Sequence, residues 1–217
     1  MRALRLPIAG LAAALLARTH AVAGERLTPA RKLFPYLDLY LGLPPAQRDV
    51  FTMSYQVREN GGPPRAVRIA FVSGGGRTPA PLDEAGRLER LPTLEEWRGQ
   101  AAVEAPAGTR LSVNMRLGCT GVPGREPSVE RLARCVAQYR AALGRAGPFS
   151  LLAPRLDRVV LREAGGGEVV TAEGARRPLP LQGGHPVFEP AAWRGARAMV
   201  LERAPTELSL AGPPKGR

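Results

Sequence analysis

Short alternating segments, each cut off by glycine or proline, fill most of this chain. Phe51, Met53, Tyr55 and Val57 alternate with Thr52, Ser54 and Gln56, the period of a strand with one buried face. Gly61-Gly62-Pro63-Pro64 stops that run, and Val67, Ile69 and Phe71 resume the alternation within residues 66–73 before Gly74-Gly75-Gly76. Further strands are expected at about 101–105, 109–117, 158–163, 168–172 and 177–181, then at Pro186-Val187-Phe188. Residues 198–202 and 206–210 have the form of a closing hairpin. With 25 glycines and 22 prolines in 217 residues, long regular elements are excluded almost everywhere. One stretch escapes. Ser128 caps a predicted helix whose apolar stripe is Val129, Leu132, Val136, Tyr139 and Leu143, with Arg131, Arg134, Gln138 and Arg145 elsewhere on the wheel and Gly147-Pro148 as its stop.

A second, shorter helix is expected within residues 28–43, where Thr28 is a suitable N-cap, Pro29 suits the first turn, and Leu33, Phe34, Leu37 and Leu41 share a face. The resulting fold class is α+β and β-rich. It comprises two antiparallel sandwich-like units joined by one amphipathic helix. The divisions fall at 24–117 for the first unit with its N-terminal helix, 118–150 for the helical connector and 151–211 for the second unit. Residues 212–217 form a disordered tail.

Residues 1–23 have the layout of a secretory signal. Arg2 and Arg5 charge the start, Leu6 to Leu16 form a short apolar run closed by Arg18, and Ala21-Val22-Ala23 offers a small-x-small cleavage site before Gly24. That run is too short to span a bilayer, and no later segment is longer. The mature chain is therefore expected in the periplasm or outside the cell, with no integral membrane segment. There, Cys119 and Cys135 are expected to form a disulfide, since their spacing is not Cys-x-x-Cys and only His185 remains to complete a metal shell. The bond would staple the helix to the strand ending near residue 117. No metal or cofactor is expected.

The net charge of +12 falls to +9 once the three arginines of the signal are removed. Lysine occurs only at positions 32 and 215, and the arginines are scattered, often beside acids, with no basic run interleaved with aromatics. Nucleic acid is not the expected partner.

The two tryptophans sit in near-identical settings, Glu95-Glu96-Trp97-Arg98-Gly99 and Ala191-Ala192-Trp193-Arg194-Gly195. Their flanks agree in order. Each is preceded by a strand and a triple glycine, 66–76 against 157–167, and followed by Thr109–Val113 against Thr206–Leu210. Thr93 and Glu96 form a capping box before Trp97, predicting a single helical turn that Gly99 ends. The pattern suggests an internal duplication. Trp97, Arg98, Trp193 and Arg194 are the candidate binding residues, because an exposed indole can stack on a ring or anchor a partner. The competing and preferred reading makes each Trp a plug at the open end of a sandwich, covered by its Arg.

Other features carry less. Gly74-Gly75-Gly76-Arg77 lacks the Lys-Ser/Thr and helix start of a phosphate loop. Ser150, His185 and Asp157 form a triple that any chain this long offers, with no nucleophile elbow. Asp38, Asp49 and Asp83 read as surface or turn acids, and no catalytic residue is assigned.

The segment Leu111-Ser-Val-Asn-Met-Arg-Leu117, the helix from Ser128, and Ala146-Gly-Pro-Phe-Ser-Leu-Leu-Ala-Pro-Arg-Leu-Asp-Arg-Val-Val-Leu161 together resemble an uncharacterised family of proteobacterial signal-peptide proteins, a domain of unknown function. The resemblance covers about half the chain and implies envelope localisation, without an activity or a site. The sequence thus points to an exported, non-enzymatic binding or structural module whose partner is an envelope protein or polymer. The alternatives are an envelope hydrolase with a site between the two units, and a binder of anionic envelope polymers. Both remain open at the level of sequence.

Overall fold

The structure, a computed structural model, describes residues 24–121, 124–147 and 153–214. The expected signal segment lies outside the described residues, as do 122–123 and 148–150 of the connector (Ser150 among them), 151–152 of the second unit and 215–217 of the tail. The described chain is β-rich, and every strand pairing in it is antiparallel.

The longest pairing joins β2 (Phe51–Glu59) to β6 (Leu111–Cys119), nine residues in continuous register from Phe51↔Cys119 to Glu59↔Leu111. The period-two pattern sends Phe51, Met53, Tyr55, Val57, Val113, Met115 and Leu117 to one face, and Thr52, Ser54, Gln56, Asn114 and Arg116 to the other. Four more strands extend this sheet: β13 (Glu207–Ala211), β7 (Arg158–Arg162), β11 (His185–Phe188) and β10 (Leu181–Gln182). The finished order is β10-β11-β7-β13-β6-β2. Strands from both sides of the connector therefore share one six-stranded sheet.

Its apolar face is covered in two ways. The helix α4 (Val129–Arg145), capped by the Ser128 hydroxyl accepting from Arg131 N–H, packs on β2, β6 and β7. Leu132, Val136 and Tyr139 are buried as the stripe requires. Cys135 is fully buried and bonded to Cys119 at the end of β6, with Cα atoms 5.7 Å apart, within the ordinary span of a disulfide. Beside α4, an aromatic series crosses the core. Phe34 meets Tyr55 and Phe71 edge-on at 5.2 and 5.6 Å, and Phe51 meets Tyr40 and Tyr139 at 5.5 and 5.7 Å.

Phe71 belongs to a second sheet, ordered β1 (Gly24–Pro29), β5 (Gln100–Ala105), β3 (Arg68–Ser73) and β4 (Gly76–Pro79). A three-stranded sheet of β12 (Ala198–Leu201), β8 (Gly167–Val170) and β9 (Arg176–Pro178) contributes Met199, Leu201 and Val169 to the same core cluster.

The chain's start departs from the expected helix. Thr28 lies in β1, which pairs with β5 along its whole length from Gly24↔Ala105 to Pro29↔Gln100, so its backbone is engaged in a sheet and cannot cap a helix. Helix then appears as two short pieces, α1 (Ala30–Leu33) and α2 (Leu37–Leu41), separated by Pro35 and a left-handed Tyr36 with φ 64°. The closing hairpin also differs. β12 pairs with β8, and β13 inserts between β7 and β6, so the two consecutive strands lie in different sheets.

The two triple glycines turn differently as well. Gly74 and Gly75, both left-handed, make the tight β3–β4 hairpin, whereas Gly165 to Gly167 lead the chain from the six-stranded sheet into the three-stranded one. A Cβ at Gly167 would lie 2.6 Å from the Leu201 side chain and 3.1 Å from the Val200 carbonyl, whereas at Gly166 it would meet only the carboxylate end of the Glu202 side chain. The strand pairing around the first tryptophan is not repeated around the second.

Candidate functional site

The residues singled out in sequence occupy two separate places. Trp97 ends α3 (Leu94–Arg98), the predicted one-turn helix. Its capping box is formed, with Glu96 N–H donating to Thr93 Oγ1 and Thr93 N–H to Glu96 Oε2. Arg90 grips the buried Glu96 carboxylate through two 2.7 Å bonds and lies over the Phe71 ring. That ion pair and the Thr93 amide hold Glu96 below the usual carboxylate range against the opposing effect of burial. The Trp97 indole is half-buried and donates to the Phe34 carbonyl at 2.8 Å, which ties α3 to the break between α1 and α2. Trp193 is also half-buried against the core, but it sits in a turn between β11 and β12 rather than on a helix.

The following glycines serve different needs. Gly99 has negative φ, and a Cβ there would lie 2.4 Å from the Val72 carbonyl, whereas Gly195 is left-handed at φ 77°. Arg98 and Arg194 are exposed. Each indole thus has one flank packed on the interior, and the two motifs form no common site.

A denser polar constellation stands on the other face of the six-stranded sheet, and no motif announced it. Glu207, Arg116, Gln56 and Ser209 are neighbours there because each occupies an upward position of its strand. Arg116 forks between Gln56 Oε1 at 3.1 Å and the Glu207 carboxylate at 2.8 and 3.1 Å. Ser209 Oγ donates to Glu207 Oε1 at 2.6 Å.

Arg87 completes the group from a loop, donating to Glu207 Oε2 at 2.7 Å. The loop is held against the free edge of β2 by Val57 N–H to Gly86 O, Leu88 N–H to Tyr55 O and Gln56 Nε2 to Ala85 O. Only glycine fits at position 86. Its φ is 80°, and a Cβ would lie 2.4 Å from both the Val57 carbonyl and Pro64. Asp83 accepts from Arg87 N–H at 2.7 Å and fixes the turn. At the opposite wall, Gly118 lets β13 approach β6, since a Cβ there would meet the Leu208 carbonyl at 2.6 Å.

Arg87, Arg116, Glu207 and Gly118, with Thr52 and Ser54 on the floor, line a cleft of about 610 Å³ including its open mouth, and Gln56 and Ser209 hydrogen-bond its charged side chains. Burial works against the ionised Glu207, but the Ser209 hydroxyl and the Arg116 and Arg87 guanidinia outweigh it and hold the carboxyl below its ordinary range. Its two oxygens accept four hydrogen bonds, the full capacity of a carboxylate. The Nε of Arg87, by contrast, is shielded from solvent and has no acceptor among the described residues.

The apolar face also has a groove, of about 700 Å³ including its mouth, walled by Tyr36, Leu39, Met53, Met115 and Leu143 among others. Among the described residues, no charged group lines it. His185 accepts at Nδ1 from Glu163 N–H at 3.3 Å on β11, and Asp157 pairs with Arg158 at 3.0 Å. Among the described residues, no group of three His, Cys, Asp or Glu is placed to hold a metal ion, and no helix is long and apolar enough to cross a membrane. No protein-family model matches the chain, and no curated protein or solved structure matches it.

Proposed function

We propose that this protein is an exported, non-enzymatic binding module of the cell envelope, and that the Glu207–Arg116 cleft is its ligand site. One observation carries the reading. Three stretches distant in sequence deliver Arg87, Arg116 and Glu207 to one open cleft, Gln56 and Ser209 hydrogen-bond those side chains from β2 and β13, and among the described residues a shielded Arg87 Nε–H is left without an acceptor. A surface that only needed to be soluble would not require Gln56 and Ser209, both buried, to be arranged around a saturated carboxylate.

Binding suits these groups better than acid–base chemistry. Glu207 is kept ionised and fully engaged, Ser209 commits its proton to Glu207, and among the described residues no imidazole lines the cleft. Export is supported by the layout of residues 1–23, by the Cys119–Cys135 bond and by the resemblance of residues 111–161 to signal-peptide proteins.

A photoreactive side chain placed at Ser54, on the cleft floor, should give a specific adduct in living cells. The same group at Arg145, at the far end of α4, should not. Equal labelling from both positions, or none from Ser54, would exclude the cleft as the contact site.

A further inference from the structure

Resting on the cleft being the ligand site, we infer that its ligand presents an oxyanion, a carboxylate or a phosphoryl group, and that Glu207 is the chain's own occupant of the anion position. Two guanidinia converge on one carboxylate, Arg87 at 2.7 Å and Arg116 at 2.8 Å. A third, Arg162, stands opposite Glu207 in the β7–β13 register and therefore on the same face of the sheet. Three positive groups face one negative group. Among the described residues nothing takes up this surplus at Arg87 and Arg162, each of which keeps a shielded Nε–H with no acceptor.

A guanidinium offers five N–H donors in a planar fork that matches the oxygens of a carboxylate or phosphate. Thr52 and Ser54 add hydroxyls on the floor, which suit oxyanion oxygens as well. A neutral ligand could accept from the guanidinium N–H groups but would leave the charge surplus as it is. An oxyanion addresses both.

The arrangement also sets a limit on affinity. Glu207 already accepts from Arg87, Arg116 and Ser209, so an incoming anion must share these donors with it and suffer its repulsion. Glu207 thus makes the site weak for a lone small anion and reserves tight binding for a ligand with further contacts along the cleft.

The test uses the mature protein and three probes at fixed ionic strength: inorganic phosphate, acetate and glucose. Binding is followed through the backbone amides of Ser54, Arg116, Gly118 and Glu207 by NMR. Phosphate or acetate should shift these amides, with the preferred anion showing whether the ligand is phosphoryl or carboxylate in type. Binding should weaken as salt is raised. Glu207→Gln, which removes the internal competitor, should tighten it by about tenfold. Arg87→Gln, a change to a loop side chain, should abolish the gain. Dispersed amide spectra of both variants confirm that they remain folded.

If glucose moves the cleft amides and neither anion does, the oxyanion assignment falls while the cleft stands as a site. If none of the three probes moves them in either the native protein or Glu207→Gln, the assignment and the site fall together. Anion binding that Glu207→Gln leaves unchanged would remove Glu207 from its role.

Discussion

Replacing Gln138 with methionine is expected to cost about 3 kcal/mol of stability, although the two side chains have nearly the same volume. Gln138 lies on α4 and is buried, yet its amide is fully used. Its Oε1 accepts from the backbone N–H groups of Val50 and Phe51 at 3.2 and 3.1 Å, and its Nε2 donates to the Ala46 carbonyl at 3.0 Å and to Asp49. This side chain fixes the chain where it enters β2. A methionine would fill the space and leave two buried backbone N–H groups without acceptors, each costing about 1–3 kcal/mol.

The Asp49 carboxyl provides a second readout. The Gln138 amide, with help from Arg134, holds it below the ordinary carboxylate value. That interaction favours the fold above the unfolded pKa and is lost as pH falls through the depressed one. The variant should therefore show Asp49 titrating closer to its ordinary value, and the stability gap to the native protein should narrow on acidification. Denaturant unfolding and carboxyl NMR titration check both. A methionine variant as stable as the native protein would show that packing, not hydrogen bonding, is what position 138 supplies.

Removal of the Cys119–Cys135 bond is the second large effect. The bridged residues are 16 apart, and releasing a loop of that size is expected to cost about 3 kcal/mol in the chain-entropy picture. For a domain of this size the melting temperature should fall by roughly 6–12 °C. The double variant Cys119→Ala, Cys135→Ala should melt lower by that amount, with some additional loss because Cys135 is fully buried. An unchanged melting temperature would mean that the apolar stripe and the Gln138 hydrogen bonds hold α4 in place without the bridge. Thiol titration of the denatured, unreduced native protein should find no free cysteine.

Much of this architecture was legible in the residues. The alternation in 51–57 gave β2 its two faces, the Thr93/Glu96 pair gave α3, and the stripe from Leu132 to Tyr139 gave α4. The misreadings share one cause, which is that long-range pairing overrides local signals. Thr28-Pro29 has the chemistry of a helix start, but β5 engages that backbone as a strand. Residues 198–210 resemble a hairpin, but β8 and β7 are the available partners. Gln138 lies off the apolar stripe, and nothing local signals its burial because its four partners come from residues 46–51, remote in sequence.

The candidate site was hidden for a related reason. Glu207 and Arg116 lie 91 residues apart and meet only because β13 inserts beside β6. What sequence could offer was the weaker hint of Gly118 in β6 and Gly86 before Arg87, two glycines that allow close backbone approach. The tryptophan pair, which drew attention as a motif, marks two half-buried residues in different local structures.

The most direct test is an amide-resolved NMR comparison of residues 24–217 before and after exposure to the soluble and polymeric fractions of the cell envelope, where the proposed export would place the protein. The account predicts perturbations centred on Ser54, Arg116, Gly118 and Glu207, with Arg87 at their edge. Perturbations centred instead on Trp97 or Trp193, with the cleft silent, would contradict it.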